Sequence, residues 1–286
     1  MTLSPLATTE QKTNDEREPF CSHGCLLKIV RNEESSIDHC PNHTAHGDQS
    51  LSHDQFLGLL ESQLQGDETF GLTSLVMSGR SGVLYMVRIL MTGHCLVAKG
   101  YRHEDVGWLQ NELAVYERLK ALQGKFIPVC CGVVDLPKAY NTTESRAVQH
   151  LLLLSWAGET LNARGSGIDQ FEPQLLSGLE QMHEKQVVHG DAERRNMLFD
   201  RESQRLMIVD FERSRLYHNR PPCDSMHVLR RIASSKRGAA CWFAAFHTRH
   251  CSRSHRYYRR RCKLKQRPRS PKLDEQDDNE KEKISL

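Results

Sequence analysis

Apolar positions change their period along the chain, and the changes mark helical and extended pieces. In HDQFLGLLESQL, residues 53–64, Phe56, Leu59, Leu60 and Leu64 recur at helical spacing and predict an amphipathic helix. From about residue 70 to 100 the period shortens. LYMVRIL and HCLVAK are β-rich runs joined by MTG, which predicts a hairpin. The helical period returns in DVGWLQNELAVYERLKALQG through Trp108, Leu109, Leu113, Tyr116 and Leu119, and Gly124 is the expected stop. IPVCCGVVDL and AVQHLLLLSW read as strands, PQLLSGLEQMHEKQ as a further amphipathic helix and LMIVDF as a buried strand. No internal repeat is visible.

Toward both ends this patterning fades. Residues 1–20 are polar and aperiodic, as a disordered tail would be. Beyond roughly residue 238 the brief apolar GAACWFAAFH gives way to a block dense in Arg and Lys, Arg253 to Lys272, and then to the mostly acidic DEQDDNEKEK. Such blocks are usually solvated; Tyr257 and Tyr258 offer stacking faces to nucleic acid, but no folded nucleic-acid module accompanies them, so nucleic acid is not the expected partner. Composition agrees: of 286 residues 38% are hydrophobic and 26% charged, so long stretches bury little, and a net charge of +3 does not by itself imply a polyanion partner. The start of the chain lacks a signal-peptide pattern, and the longest aliphatic run, Leu151 to Leu154, is far short of a membrane span. The expectation is a monomeric, intracellular protein, cytoplasmic or nuclear, with no membrane partner.

Ten cysteines without an export signal argue for reduced thiols or metal ligands over a disulfide frame. Cys95, Cys130, Cys131, Cys223, Cys241 and Cys251 are scattered and read as buried thiols. Cys21, Cys25, Cys40 and His43 are spaced C-x3-C-x14-C-x2-H, with His46 and His39 as spare ligands. Sulfur and imidazole at these separations could close a tetrahedral zinc site; thiols packed in a docking segment are the alternative.

A second constellation suits phosphoryl transfer, which needs a carboxylate for the hydroxyl proton, oxygen ligands for a metal and a cation for the phosphates. Asp191 follows His-Gly, Asn196 lies five residues later, and Asp210 opens D-F-E at the end of LMIVD. Hard oxygen donors of this kind suit magnesium. Upstream, VAK sets Lys99 at a strand end, and Glu112 falls on the inner face of the helix that follows.

This order, a Gly-rich turn, VAK, a helical Glu, HxD with Asn five residues on, then D-F, resembles the protein kinase superfamily. HGD and DFE are similar to the aminoglycoside-phosphotransferase and choline-kinase-like branch. VAKGY, NELAVYERLKALQGKFIPVCCGVVDL, LLLLSWAGETL, VVHGDAERRNMLF and IVDFERSRL, with the lead-in CSHGCLLKIVRNEESSIDHCPNHTAHG, look like a family of fungal protein-kinase-like proteins. The resemblance implies Lys99 as phosphate anchor, Glu112 as its partner, Asp191 as catalytic base, and Asn196 and Asp210 as magnesium ligands. Gly79 and Gly82 match the second and third glycines of the nucleotide turn, and Ser155, Trp156 and Gly158 belong to a hinge beside the adenine. It further implies ATP and magnesium as cofactors and a protein Ser/Thr or small hydroxyl-bearing molecule as acceptor.

The expected fold is α+β and two-lobed. It divides into a tail at 1–20, a Cys/His lead-in at 21–68, a small β-rich N-lobe with hinge at 69–157, a short, mainly helical C-lobe at 158–240 and a basic then acidic tail at 241–286. Three departures bear on activity. Met77 stands where the first glycine of the turn belongs, Glu193 stands where kinases place Lys or His, and the expected C-lobe is short. A catalytically weak nucleotide-binding scaffold on the same fold is therefore the alternative reading.

Overall fold

The computed structural model describes residues 19–33, 40–47, 50–66, 71–78, 83–141, 147–160 and 171–218. Residues 1–18 of the expected first tail, the expected tail at 241–286, the turn with Gly79 and Gly82, His39, and Cys223, Cys241 and Cys251 lie outside the described residues, whereas Phe20, also assigned to the first tail, packs on Trp156.

The chain is α+β, built around a five-stranded antiparallel sheet of order β1-β2-β3-β5-β4. Its strands are β1 (Leu72–Ser78), β2 (Val83–Ile89), β3 (His94–Arg102), β4 (Cys130–Asn141) and β5 (Ala147–Leu154). The predicted hairpin is β2–β3, in register from Val83 opposite Gly100 to Ile89 opposite His94, with Gly93 at φ +75° in its turn. On β2 every second residue, Val83, Tyr85, Val87 and Ile89, is buried, as period-two alternation requires.

Alternation also explains the uninterrupted run Leu151 to Leu154, because both faces of the sheet are covered. Leu151 and Leu153 join one apolar cluster with Leu96 and Ala98, whereas Leu152 and Leu154 join another with Tyr101. The first face is covered by α1 (His23–Arg31) and α3 (His53–Leu64), which bring Leu26, Ile29, Phe56, Leu60 and Leu64 to it. The second carries α4 (Val106–Arg118), through Leu109, Val115 and Tyr116. Since Lys99 shares its strand face with Tyr101, the pleat turns it toward α4 and away from the lead-in helices.

Downstream, α5 (Glu172–Glu184) buries Leu175, Leu179 and Met182 against β8 (Met197–Asp200) and β9 (Arg205–Ile208). Two-residue β6 (Glu159–Thr160) pairs with β8, and β10 (Arg215–Leu216) pairs with β7 (Val187–Val188). No helix among the described residues is long and apolar enough to cross a membrane.

Several elements differ from the sequence reading. The helix predicted through to Gly124 ends at Arg118. Leu119 caps it, a 3₁₀ turn spans Lys120–Leu122, and Gly124, at φ +73°, donates its N–H to Ile127 O at 2.8 Å. Gln123 causes the break: its side chain donates to Tyr116 O at 3.1 Å and accepts from Cys130 N at 3.1 Å, tying the chain into β4. Trp108, assigned to the apolar stripe, is 47% exposed, and Glu112 and Val115 complete the inner face instead. The lead-in is also more than a preface to the core. α1, which apolar periodicity did not signal, starts at Ser22, whose hydroxyl accepts from Cys25 N at 3.2 Å, and it packs with α3 directly on the sheet. The expected thiols Cys95 and Cys131 are buried and Cys130 is partly so.

Candidate functional site

Lys99 sits on central strand β3, and its ammonium donates to two carboxylates and forms an ion pair with a third. Glu112 Oε2 lies at 2.9 Å, Asp210 Oδ1 at 2.8 Å and Glu212 Oε1 at 2.8 Å. Glu112 is wholly buried on α4, where Oε2 also accepts from Tyr101 OH and Oε1 from Phe211 N at 3.3 Å. Burial pulls the Lys99 ammonium down, but Glu112, Tyr101, Asp210 and Glu212 raise it well above the ordinary lysine range, so it stays charged. Burial works to raise the Asp210 carboxyl, yet Lys99 holds it below the usual range. One cation thus faces three carboxylates, an excess of negative charge in a largely buried cluster that favours a further cation.

Two loops bring Asp210 to this point. β9 ends at Ile208, Val209 N donates to Asn196 O at 3.0 Å, and Asp210 takes a left-handed φ of +70°. Phe211 is fully buried between α4 and the loop, stacking edge-on with Tyr116, so its two neighbours Asp210 and Glu212 both face Lys99. Asn111, one residue before Glu112, donates to the carbonyls of Glu212 at 2.9 Å and Ser214 at 3.0 Å and fixes the strand end to α4.

Asp191 is buried in the neighbouring loop. His189 ties the two loops together: its Nδ1 accepts from Asp191 N at 3.3 Å and its Nε2 donates to Val209 O at 2.9 Å, an assignment that needs the neutral ring. Burial lowers the pKa of His189, in keeping with that state. Gly190, at φ +75°, lets the backbone pass Arg213, whose carbonyl oxygen a Cβ at Gly190 would overlap. Asn196, in a 3₁₀ turn Arg194–Asn196, donates its side-chain nitrogen to Asp191 O at 2.8 Å. Arg195 lies across the mouth, with Nη2 2.7 Å from Asp191 Oδ2 and Nη1 bonded to Glu193. Arg213 Nη1 is 4.0 Å from the same Asp191 oxygen.

Hydrogen bonds thus join Lys99, Glu112 and Asp210 in one group and Asp191 and Asn196 in another, and the second group is bonded through His189 and Asn196 to Val209, the residue before Asp210. Met77 lies in β1, and Ser155, Trp156 and Gly158 lie beyond the end of β5. The Ser155 hydroxyl is committed internally, accepting from Val129 N at 2.8 Å and bonding His23 Nδ1 at 2.7 Å. Trp156 stacks on Phe20 at 4.8 Å between centroids. Gly158, at φ +94°, passes so close to β8 that a Cβ would overlap the Phe199 carbonyl. Sequence reasoning missed Glu212, Tyr101, Asn111 and His189. Glu212 had a signal, since it lies two residues from Asp210 across an apolar Phe211 and so on the same side of the chain.

The cysteine cluster gathers with one of the spare histidines and not with His43: Cys21, Cys25, Cys40 and His46 bring their donor atoms within 4.8 Å of one another. Both histidines belong to the four-residue helix α2 (His43–His46), whose turn carries His46 inward to 6% exposure.

No protein-family model matches the chain. It is 32% identical over 226 residues to "Meiotic driver SPOK2" of Podospora anserina, an alignment covering 76% of this chain and 28% of that protein. Over 62 residues it is 40% identical to a serine/threonine-protein kinase of Debaryomyces hansenii, covering 22% of this chain and 10% of that one. The chain thus corresponds to less than a third of the length of either relative, and its similarity to a Ser/Thr kinase is short and partial.

Proposed function

We propose that the chain is an ATP- and magnesium-dependent phosphotransferase with a two-lobed, protein-kinase-like fold, and that it moves the γ-phosphate to a protein Ser/Thr hydroxyl. The observation that carries this is Lys99, held at 2.9 Å by Glu112 of α4 and at 2.8 Å by Asp210, with Asp191 and Asn196 bonded into the same loops. A strand lysine paired to a helical glutamate, beside an aspartate following a β-strand, is the arrangement that protein kinases need in place before transfer. The sheet order, with α4 inserted between β3 and β4, and the short similarity to a Ser/Thr kinase support the same reading.

The donors fit magnesium. Asn196 has its amide nitrogen committed to Asp191 O, so the atom it can offer is oxygen, and the Asp210 carboxylate is 37% exposed. When bound, the ion would neutralise charge on the β- and γ-phosphate oxygens. Lys99 grips phosphate oxygens while Glu112 and Tyr101 keep its ammonium in place. Asp191 orients the acceptor hydroxyl and takes its proton. Arg195, already on Asp191, offers a guanidinium fork to the transferred phosphate and offsets the acid at Glu193.

A second reading, a nucleotide-binding scaffold with little turnover, is favoured by that same Arg195, which covers the Asp191 carboxylate at 2.7 Å. Phosphate transfer from labelled ATP to the chain itself and to Ser/Thr peptides, compared between wild type and Asp191→Ala, separates the two. Turnover that falls by ~10²–10⁴ in the variant, with ATP binding retained, supports the enzyme. ATP binding with no transfer in either protein supports the scaffold.

A further inference from the structure

We infer that Cys21, Cys25, Cys40 and His46 hold one zinc ion, and that this ion fastens the segment from Phe20 to His23 onto Ser155 and Trp156. His46 Nε2 lies 3.1 Å from Cys40 Sγ and 3.5 Å from Cys25 Sγ. Zinc bonded tetrahedrally to sulfur at ~2.3 Å and to imidazole nitrogen at ~2.0–2.1 Å sets those atoms about 3.6 Å apart, so the four donors need only small shifts. The His46 tautomer is fixed for the purpose. Nδ1 donates to Gly47 O at 2.8 Å, which leaves the Nε2 lone pair facing the thiols.

The Cys21 sulfur accepts from two N–H donors, Cys95 N at 3.3 Å and Asn42 Nδ2 at 3.8 Å, which fix its position in the cluster. Asn42 is itself anchored on Gly93 O at 2.7 Å, so the β2–β3 turn supports the site. The three cysteines are free, and a disulfide between any two would leave the third unpaired and His46 without a role. Three sulfurs with one imidazole select zinc over the hard cations suited to the Lys99 cluster, with which this set shares no residue. The stretch around α2, one helix of four residues, has little apolar surface to hold it down, and a metal cross-link would provide what packing cannot.

The mechanical consequence follows from what flanks Cys21. On one side Phe20 stacks on Trp156 with ring planes 10° apart. On the other His23 Nδ1 bonds Ser155 Oγ at 2.7 Å, and its Nε2 lies 3.4 Å from Asp200 Oδ2 on β8. Cys21 N donates to Cys95 O at 2.8 Å between them. Metal binding at Cys21 therefore fixes the two side chains that brace the 155–156 segment.

The test uses the full chain from zinc-supplemented cells, with metal measured by mass spectrometry. Zinc at about one ion per chain is expected, lost in Cys40→Ser and His46→Ala and retained in His43→Ala. Cobalt exchanged into the wild type, which needs no variant to fold, should show thiolate charge-transfer absorption and intense tetrahedral d–d bands. Withdrawing zinc with a chelator should change tryptophan emission in wild type and leave it unchanged in Trp156→Phe. Wild type with no zinc above the buffer blank, octahedral cobalt spectra, or zinc lost in His43→Ala and kept in His46→Ala would each overturn the metal site. Emission indifferent to chelation, or a change that persists without Trp156, would overturn the coupling.

Discussion

At the scale of single residues, Glu112 is the keystone of the cluster, because it is fully buried and accepts from Lys99, Tyr101 and Phe211 N together. Removing it leaves Lys99 to Asp210 and Glu212 but strips the buried Tyr101 OH and Phe211 N of their acceptor, so Glu112→Ala is expected to lose about 1–3 kcal/mol of unfolding free energy in urea titrations. Asp200 makes a separable prediction about pH. Burial raises its carboxyl, but His23 and Ser203 bring it down to about 2. A pKa lower folded than unfolded contributes stability that is present above roughly pH 3.9 and is lost as pH falls through the folded value. Asp200→Asn should therefore cost roughly 1–2 kcal/mol at neutral pH and flatten the stability curve between about pH 4 and 2. Equal acid slopes for variant and wild type would show that Asp200 is not the group responsible.

At the scale of elements, the lead-in helices are expected to carry core energy in proportion to burial. Leu60→Ala on α3, at 0% exposure, should cost about 2–5 kcal/mol, whereas Leu59→Ala, only partly buried, should cost less than half as much in the same denaturant assay. α3 was legible in the sequence with its observed bounds, since four apolar residues at helical spacing follow a serine cap. The β2–β3 hairpin was legible for a similar reason, two β-rich runs around a glycine turn. α1 was not, because only Leu26 and Ile29 of HGCLLKIVR are buried apolar positions outside the cysteine pattern, too few to display a period. The end of α4 was misread because Gln123, a side chain with no helix-stop reputation, ties the turn to β4 before Gly124 is reached. At the site, Lys99, Glu112 and Asp210 were legible from their order along the chain, while His46 was ranked only as a spare ligand because spacing favours the nearer His43 and only the turn of α2 distinguishes them. The loop holding Asp191 depends on a glycine: Gly190→Ala, at φ +75° and against Arg213 O, should destabilise by more than ~1 kcal/mol and reduce any transfer activity.

At the scale of the molecule, a strand, a helix and two loops drawn from more than a hundred residues of sequence converge on one cluster, with Lys99 and Asp210 hydrogen-bonded although 111 positions apart. Under the proposed function this convergence serves one task, the excess of carboxylates holding a metal that carries phosphates. The most direct measurement is the thermal stabilisation of the chain by ATP, recorded with and without magnesium in wild type and in Asp210→Asn. Stabilisation that requires magnesium and disappears in Asp210→Asn is the predicted result. An ATP shift of equal size without magnesium, or one that survives in Asp210→Asn, would contradict it.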